Sequence, residues 1–171
     1  DADGDYVDLT GLVTVTVEND VPELVAEATV SGAVVEDGLP TGLGGGAVTA
    51  SLNLAGLVNT GADEELSYTL TDPSGVASGL TSKGLAVNYT VSGDTLTAST
   101  TAGTVFTFTV NADTGAALFT LVDQLDHQPN DVGGGDEETL VIQDLGQFVE
   151  VRVTDFDGDT VTTTLDELIE I

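Results

Sequence analysis

The chain has 171 residues, 40% of them hydrophobic and only 5% aromatic, with a mean hydropathy of +0.19. That is enough apolar material to build a core, which excludes a disordered chain despite the charge. Thirty Asp and Glu face only Lys83 and Arg152, and the formal net charge of −28 makes phosphate backbones and anionic lipid heads poor partners.

An acidic pentapeptide organises the chain. Asp1-Ala2-Asp3-Gly4-Asp5 opens it, and Asp155-Phe156-Asp157-Gly158-Asp159 repeats the pattern near its end. Each copy runs into a β-branched stretch, 6–17 after the first and 160–171 after the second. Such a sequence reads as a window cut from a tandem array whose period is one domain. Residues 1–18 are then the C-terminal strand of a preceding repeat, or a swapped edge segment, and 19–171 form the domain proper. Within 6–17, Val13, Val15 and Val17 alternate with Thr14 and Thr16 in the manner of a strand, which Pro22 stops.

Leu24 to Val35 reads as one strand or two short ones interrupted at Ser31-Gly32. Residues 39–47, rich in glycine, form a loop, and Val48 to Leu54 alternates again. After a polar connection over 57–65, Leu66, Tyr68 and Leu70 share one face of a strand. Leu85, Val87, Tyr89 and Val91 share the face of another, and Ser92-Gly93-Asp94 turns the chain towards Leu96. Phe106, Phe108 and Val110 lie on one face, with Val105 opposite, so that strand is expected to be partly buried on both sides. Residues 111–115 form a hairpin loop with Gly115 in a left-handed position, and Ala117, Phe119 and Leu121 return along the next strand. Residues 124–138 are a long polar break. Leu140 and Ile142 suggest a short strand, and Val149, Val151 and Val153 lead into the second acidic turn. Without a helical apolar stripe, the pattern predicts an all-β fold, an immunoglobulin-like β-sandwich with Greek-key connections.

The acidic residues carry the candidate chemistry. Asp155, Asp157 and Asp159, and their counterparts Asp1, Asp3 and Asp5, offer oxygen ligands suited to Ca²⁺. The turn is not an EF-hand, because Gly158 stands fourth in the run and Asp166 twelfth where a bidentate Glu is needed. One turn supplies too few ligands alone, so Asn19, Asp20, Glu36 and Asp37 are expected to complete sites at the seam between units. An acidic coat for solubility in salt is the simpler alternative. No Cys is present for disulfide or thiol chemistry, and no Trp to stack a sugar in a glycosidase cleft. The one histidine, His127, forms no metal cluster or triad; its expected role is ordering a loop by a hydrogen bond. The glycines at 42, 44, 45 and 46 lack the GK[ST] of a phosphate loop. These readings point away from an enzyme. No apolar run suits a membrane span, and no basic stretch precedes an apolar one as in a signal peptide.

Taken in order, several stretches resemble one repeat class of the large type I-secreted bacterial RTX adhesins. They are Asn19-Asp20-Val21-Pro22, Glu36-Asp37-Gly38, the run from Gly79 to Gly84, that from Gly103 to Val110, that from Leu121 to Pro129, and Thr154 to Thr160. The resemblance covers 19–171 and implies an extracellular, calcium-stabilised extender or scaffold domain at the bacterial cell surface. It implies a monomer whose partners are adjacent repeats, calcium ions and an inserted or distal ligand-binding domain. The glycine-rich stretches at 42–46 and 133–135 depart from the repeat as local insertions. A rival reading makes the domain itself a carbohydrate- or peptide-binding module, using the loops at 39–47 and 124–138.

Overall fold

The computed structural model describes residues 23–42, 44–59, 65–73, 76–127, 140–154 and 160–171. The expected strand over 6–17 and both acidic pentapeptides lie outside these residues. Among the described residues fourteen strands occur in chain order: β1 (Glu23–Leu24), β2 (Val30–Ser31), β3 (Thr49–Asn53), β4 (Val58–Asn59), β5 (Glu65–Leu70), β6 (Thr81–Ser82) and β7 (Leu85–Ala86). They continue with β8 (Asn88–Ser92), β9 (Thr95–Thr100), β10 (Gly103–Val110), β11 (Ala116–Leu121), β12 (Val149–Thr154), β13 (Thr160–Thr164) and β14 (Ile169–Glu170). Short 3₁₀ turns are the only helical segments among the described residues, so the chain is all-β.

The largest sheet has five strands in the order β3-β11-β10-β9-β8. Four of them follow one another as antiparallel hairpins, while β3 returns from far upstream to pair with β11. Alternation drives this sheet. Phe106, Phe108, Phe119, Leu96 and Ala98 are all fully buried on its inner face, and Phe106 and Phe119 lie with ring centroids 4.8 Å apart. Val105 is also buried, at 1% exposure, because the register shifts between Thr104 and Phe106. This bulge lets the Val105 carbonyl accept from both Val122 N and Asp123 N, at 2.8 and 3.0 Å. The loop at 111–115 forms as expected. Asn111 Oδ1 accepts from Thr114 N at 2.8 Å, and Gly115 has φ +65. A Cβ at Gly115 would lie 2.6 Å from Cζ of Tyr68, so glycine is required twice over.

A second sheet of three strands, β13-β12-β5, joins segments distant in sequence. Val149, Val151 and Val153 of β12 are buried beside Tyr68 and Leu70 of β5. The inner faces of both sheets feed one hydrophobic core, and Tyr89 of β8 meets Phe148 edge-on at 5.3 Å. The last residues belong to that core: Leu165 and Ile169 are fully buried, and β14 runs parallel to β2.

The structure corrects several local expectations. Ile142 is not in a strand; it exchanges backbone hydrogen bonds with Ile171 at 2.8 and 3.2 Å, a single pairing that closes the C-terminus. The break between β1 and β2 falls at 25–29, before Ser31-Gly32. Residues 57–59, read as polar connection, bury Leu57 and Val58 and supply β4, the partner of β1. Leu85 is 38% exposed because β7 pairs with β6, outside the main sheet.

Candidate functional site

The acidic pentapeptide 155–159 is tethered at both ends by described residues. Thr154 and Thr160 form the terminal rung between β12 and β13, and on its other side Thr154 pairs with Glu65, where β5 begins. Residues 60–64, with Asp63 and Glu64, lead directly into Glu65. One end of the three-stranded sheet is therefore the attachment point of two acidic stretches. Of the ten predicted ligands, Asp1, Asp3, Asp5, Asn19, Asp20, Asp155, Asp157 and Asp159 lie outside the described residues.

Glu36 and Asp37 are described, in a 3₁₀ turn over Glu36–Gly38. Glu36 Oε1 accepts from Leu125 N at 2.6 Å and lies 3.6 Å from His127 Nε2. One oxygen of this predicted ligand is thus engaged inside the domain, by the loop that carries the histidine. Asp37 has an exposed side chain, and its carbonyl accepts from Gly44 N at 2.9 Å. The loop-ordering hydrogen bond expected of His127 is not seen among the described residues: its Nε2 lies 3.6 Å from Glu36 Oε1, in ion-pair range but beyond hydrogen-bond distance, and its Nδ1 is buried without a partner there.

The same loop holds a second grouping that the sequence reading missed. Lys83 Nζ donates to both Asp123 oxygens, at 2.7 and 2.6 Å. The two Asp126 oxygens accept from Lys83 N at 2.8 Å and Gly84 N at 2.7 Å. Lys83 and Gly84 are consecutive left-handed residues, with φ +52 and +75, in the two-residue turn between β6 and β7. A left-handed lysine is unfavourable by itself, and the Asp126 carboxylate supports it by taking both exposed amides. The Lys83 ammonium holds Asp123 below the usual carboxylate range, and the Gly84 amide, with Thr81 and Lys83, does the same for Asp126. Gly84, a residue that takes positive φ without strain, was the available signal for this turn.

Asp144 and Tyr89 form a third grouping, between the two sheets. The Tyr89 hydroxyl donates to Asp144 Oδ1 at 3.2 Å. Burial pushes the Asp144 carboxyl up; the phenol is pushed up by burial first and then by the adjacent Asp144 charge. Among the described residues, no three carboxylates or imidazoles converge to hold a metal ion.

These features define an all-β domain with an aromatic core, an uncharged major sheet and acidic connections at one end of the minor sheet. A family profile described as a domain of unknown function, DUF5801, matches residues 7–167, and the chain belongs to that family. No curated protein and no solved structure matches the chain.

Proposed function

We propose that the chain is a calcium-stabilised, immunoglobulin-like β-sandwich serving as an extender or scaffold domain of an extracellular bacterial adhesin. The two-sheet arrangement around one core supports the sandwich, and the return of β3 to the side of β11 supports a Greek-key connection. The observation that carries the cation reading is the anchored rung Glu65, Thr154 and Thr160. It attaches two acidic stretches to one sheet end, and of the two basic residues available to offset −28, Lys83 is already paired with Asp123. Carboxylates gathered without cations repel one another, and a divalent ion replaces that repulsion with oxygen contacts. Asp155, Asp157 and Asp159 would hold the ion, with Asp1, Asp3 and Asp5 as their counterparts at the preceding joint. Asn19, Asp20 and Asp37 are the remaining candidates at that seam, together with the second oxygen of Glu36. In the adhesin, occupied joints would stiffen a rod of repeats that projects a ligand-binding region from the cell.

Calorimetric titration of Ca²⁺ into the apo chain tests this, with a D155N/D157N variant beside it. Saturable binding with reduced stoichiometry in the variant is expected, together with chelator-sensitive extension of a tandem pair in small-angle scattering. Unchanged stoichiometry and an extension indifferent to chelator would sink the reading.

A further inference from the structure

None of the residues in β3, β8, β9, β10 and β11 is charged, although 19% of the whole chain is. The registers align one outward threonine from every strand into a single row: Thr49, Thr120, Thr107, Thr97 and Thr90. In the next row, Leu118 is 43% exposed between Ser51 and Thr109. Strand propensity accounts for outward threonine but not for the missing charge, which is absent even from the edge strands β3 and β8, where Lys normally guards a sheet. The three-stranded sheet does carry charge, with Glu150 and Arg152 between its hydroxyls.

We propose that this face docks a second copy of the chain, sheet against sheet across a two-fold axis. In such a contact each patch meets itself, so like charges meet. On a chain at −28, a charged patch would set carboxylate against carboxylate. Hydroxyls escape this, because each both donates and accepts and so complements its own kind. Two sheets of the same handed twist pack face to face at about −30°, and Leu118 gives the contact an apolar centre. Five strands at ~4.8 Å spacing and roughly 17–20 Å length offer on the order of 350 Å² per copy. A standard interface buries about 800 Å² per partner, so the pairing is weak: the chain is a monomer when dilute and pairs at high local density.

Sedimentation equilibrium of the whole chain tests the proposal, over a concentration series at low and high NaCl, with calcium and with chelator. Reversible dimerisation with a Kd on the order of 0.1–1 mM is expected. It should strengthen with salt, which screens the net repulsion, and be indifferent to chelator. L118E and T97E should each weaken pairing at least tenfold, whereas T162E, which adds the same charge on the other sheet, should change it less than twofold; thermal unfolding of each variant checks that it is folded. A monomer at every concentration and salt would overturn the proposal. So would pairing that ignores L118E and T97E, pairing lost on chelation, which would place the contact at the acidic ends, or a face that captures a neutral glycan while the chain stays monomeric.

Discussion

The two sheets solve the same problem in different ways. Four strands of the larger sheet are consecutive, joined by connections at 93–94, 101–102 and 111–115, and its inner face holds a cluster of buried aromatic rings. The smaller sheet pairs β5 with β12 and then β13, so its first partner arrives only after most of the chain has been laid down. Local hairpins lose little loop-closure entropy on pairing, and distant ones lose more. The larger sheet therefore contains its own means of standing, whereas the smaller depends on connections that happen to carry the charge. Its stability should respond to ions and pH, and that of the larger sheet should not.

The largest effect tests the first half of that contrast. F119A removes a fully buried ring packed at a tilt against Phe106 and should cost about 3–5 kcal/mol. The melting midpoint should fall by on the order of 10 °C, equally with calcium and with chelator. A loss that depended on calcium would break the division between the sheets.

The proposed calcium binding comes second. At a free concentration one hundred times its Kd, a single site contributes about 2.7 kcal/mol. Hydrogen exchange should place that gain in β5, β12 and β13, with β8 to β11 unchanged. In D155N/D157N the gain should shrink or vanish. Protection spread evenly over both sheets would mean that the core transmits the ion's effect, and the contrast would have to be redrawn.

The loop 123–127 bridges the comparison, since it fastens the β6–β7 turn to the Glu36 turn. Asp126 has a folded pKa below its ordinary 3.8, so its contribution is present above that pH and is lost as the pH falls through the folded value. D126N should therefore lower the melting midpoint at neutral pH by less than calcium removal does. It should also flatten the acid limb below pH 3.8 and speed exchange of the Lys83 and Gly84 amides, which donate to that carboxylate.

These features differed in how far they could be read from the chain alone. The alternation of Tyr68 with Leu70, of Ala117 with Phe119 and Leu121, and the left-handed glycine at 115 are local, and all three stand in the structure. The parallel pairing of β14 with β2 and the Ile142–Ile171 exchange leave no periodic mark, because the partners of the first sit at opposite ends of the sequence and those of the second are separated by β12, β13 and β14. Val105 was legible as buried but not as bulged, since a register shift shows only when the neighbouring strand is known. Glu36 looked like a free ligand because its partner amide is 89 residues away. The Asp126 clasp was hidden for the same reason, and an acidic side chain beside a histidine advertises a site more loudly than a backbone cap.

The smallest effect concerns Asp144, which lies between the sheets and behaves opposite to Asp126. Its folded pKa is raised by burial, so the charged carboxylate is a liability above that value, relieved as acid protonates it. D144N keeps an oxygen to accept from the Tyr89 hydroxyl while removing the charge. Because the carboxylate is only partly withdrawn from water, the gain at neutral pH should be about 1 kcal/mol or less, a rise of a few degrees in the melting midpoint. It should fade as the pH approaches 3.8, where the native carboxyl carries a proton anyway. A destabilised D144N would mean that the tyrosine needs a full negative charge opposite it, and that this junction is held by electrostatics rather than by the packing of Tyr89 on Phe148.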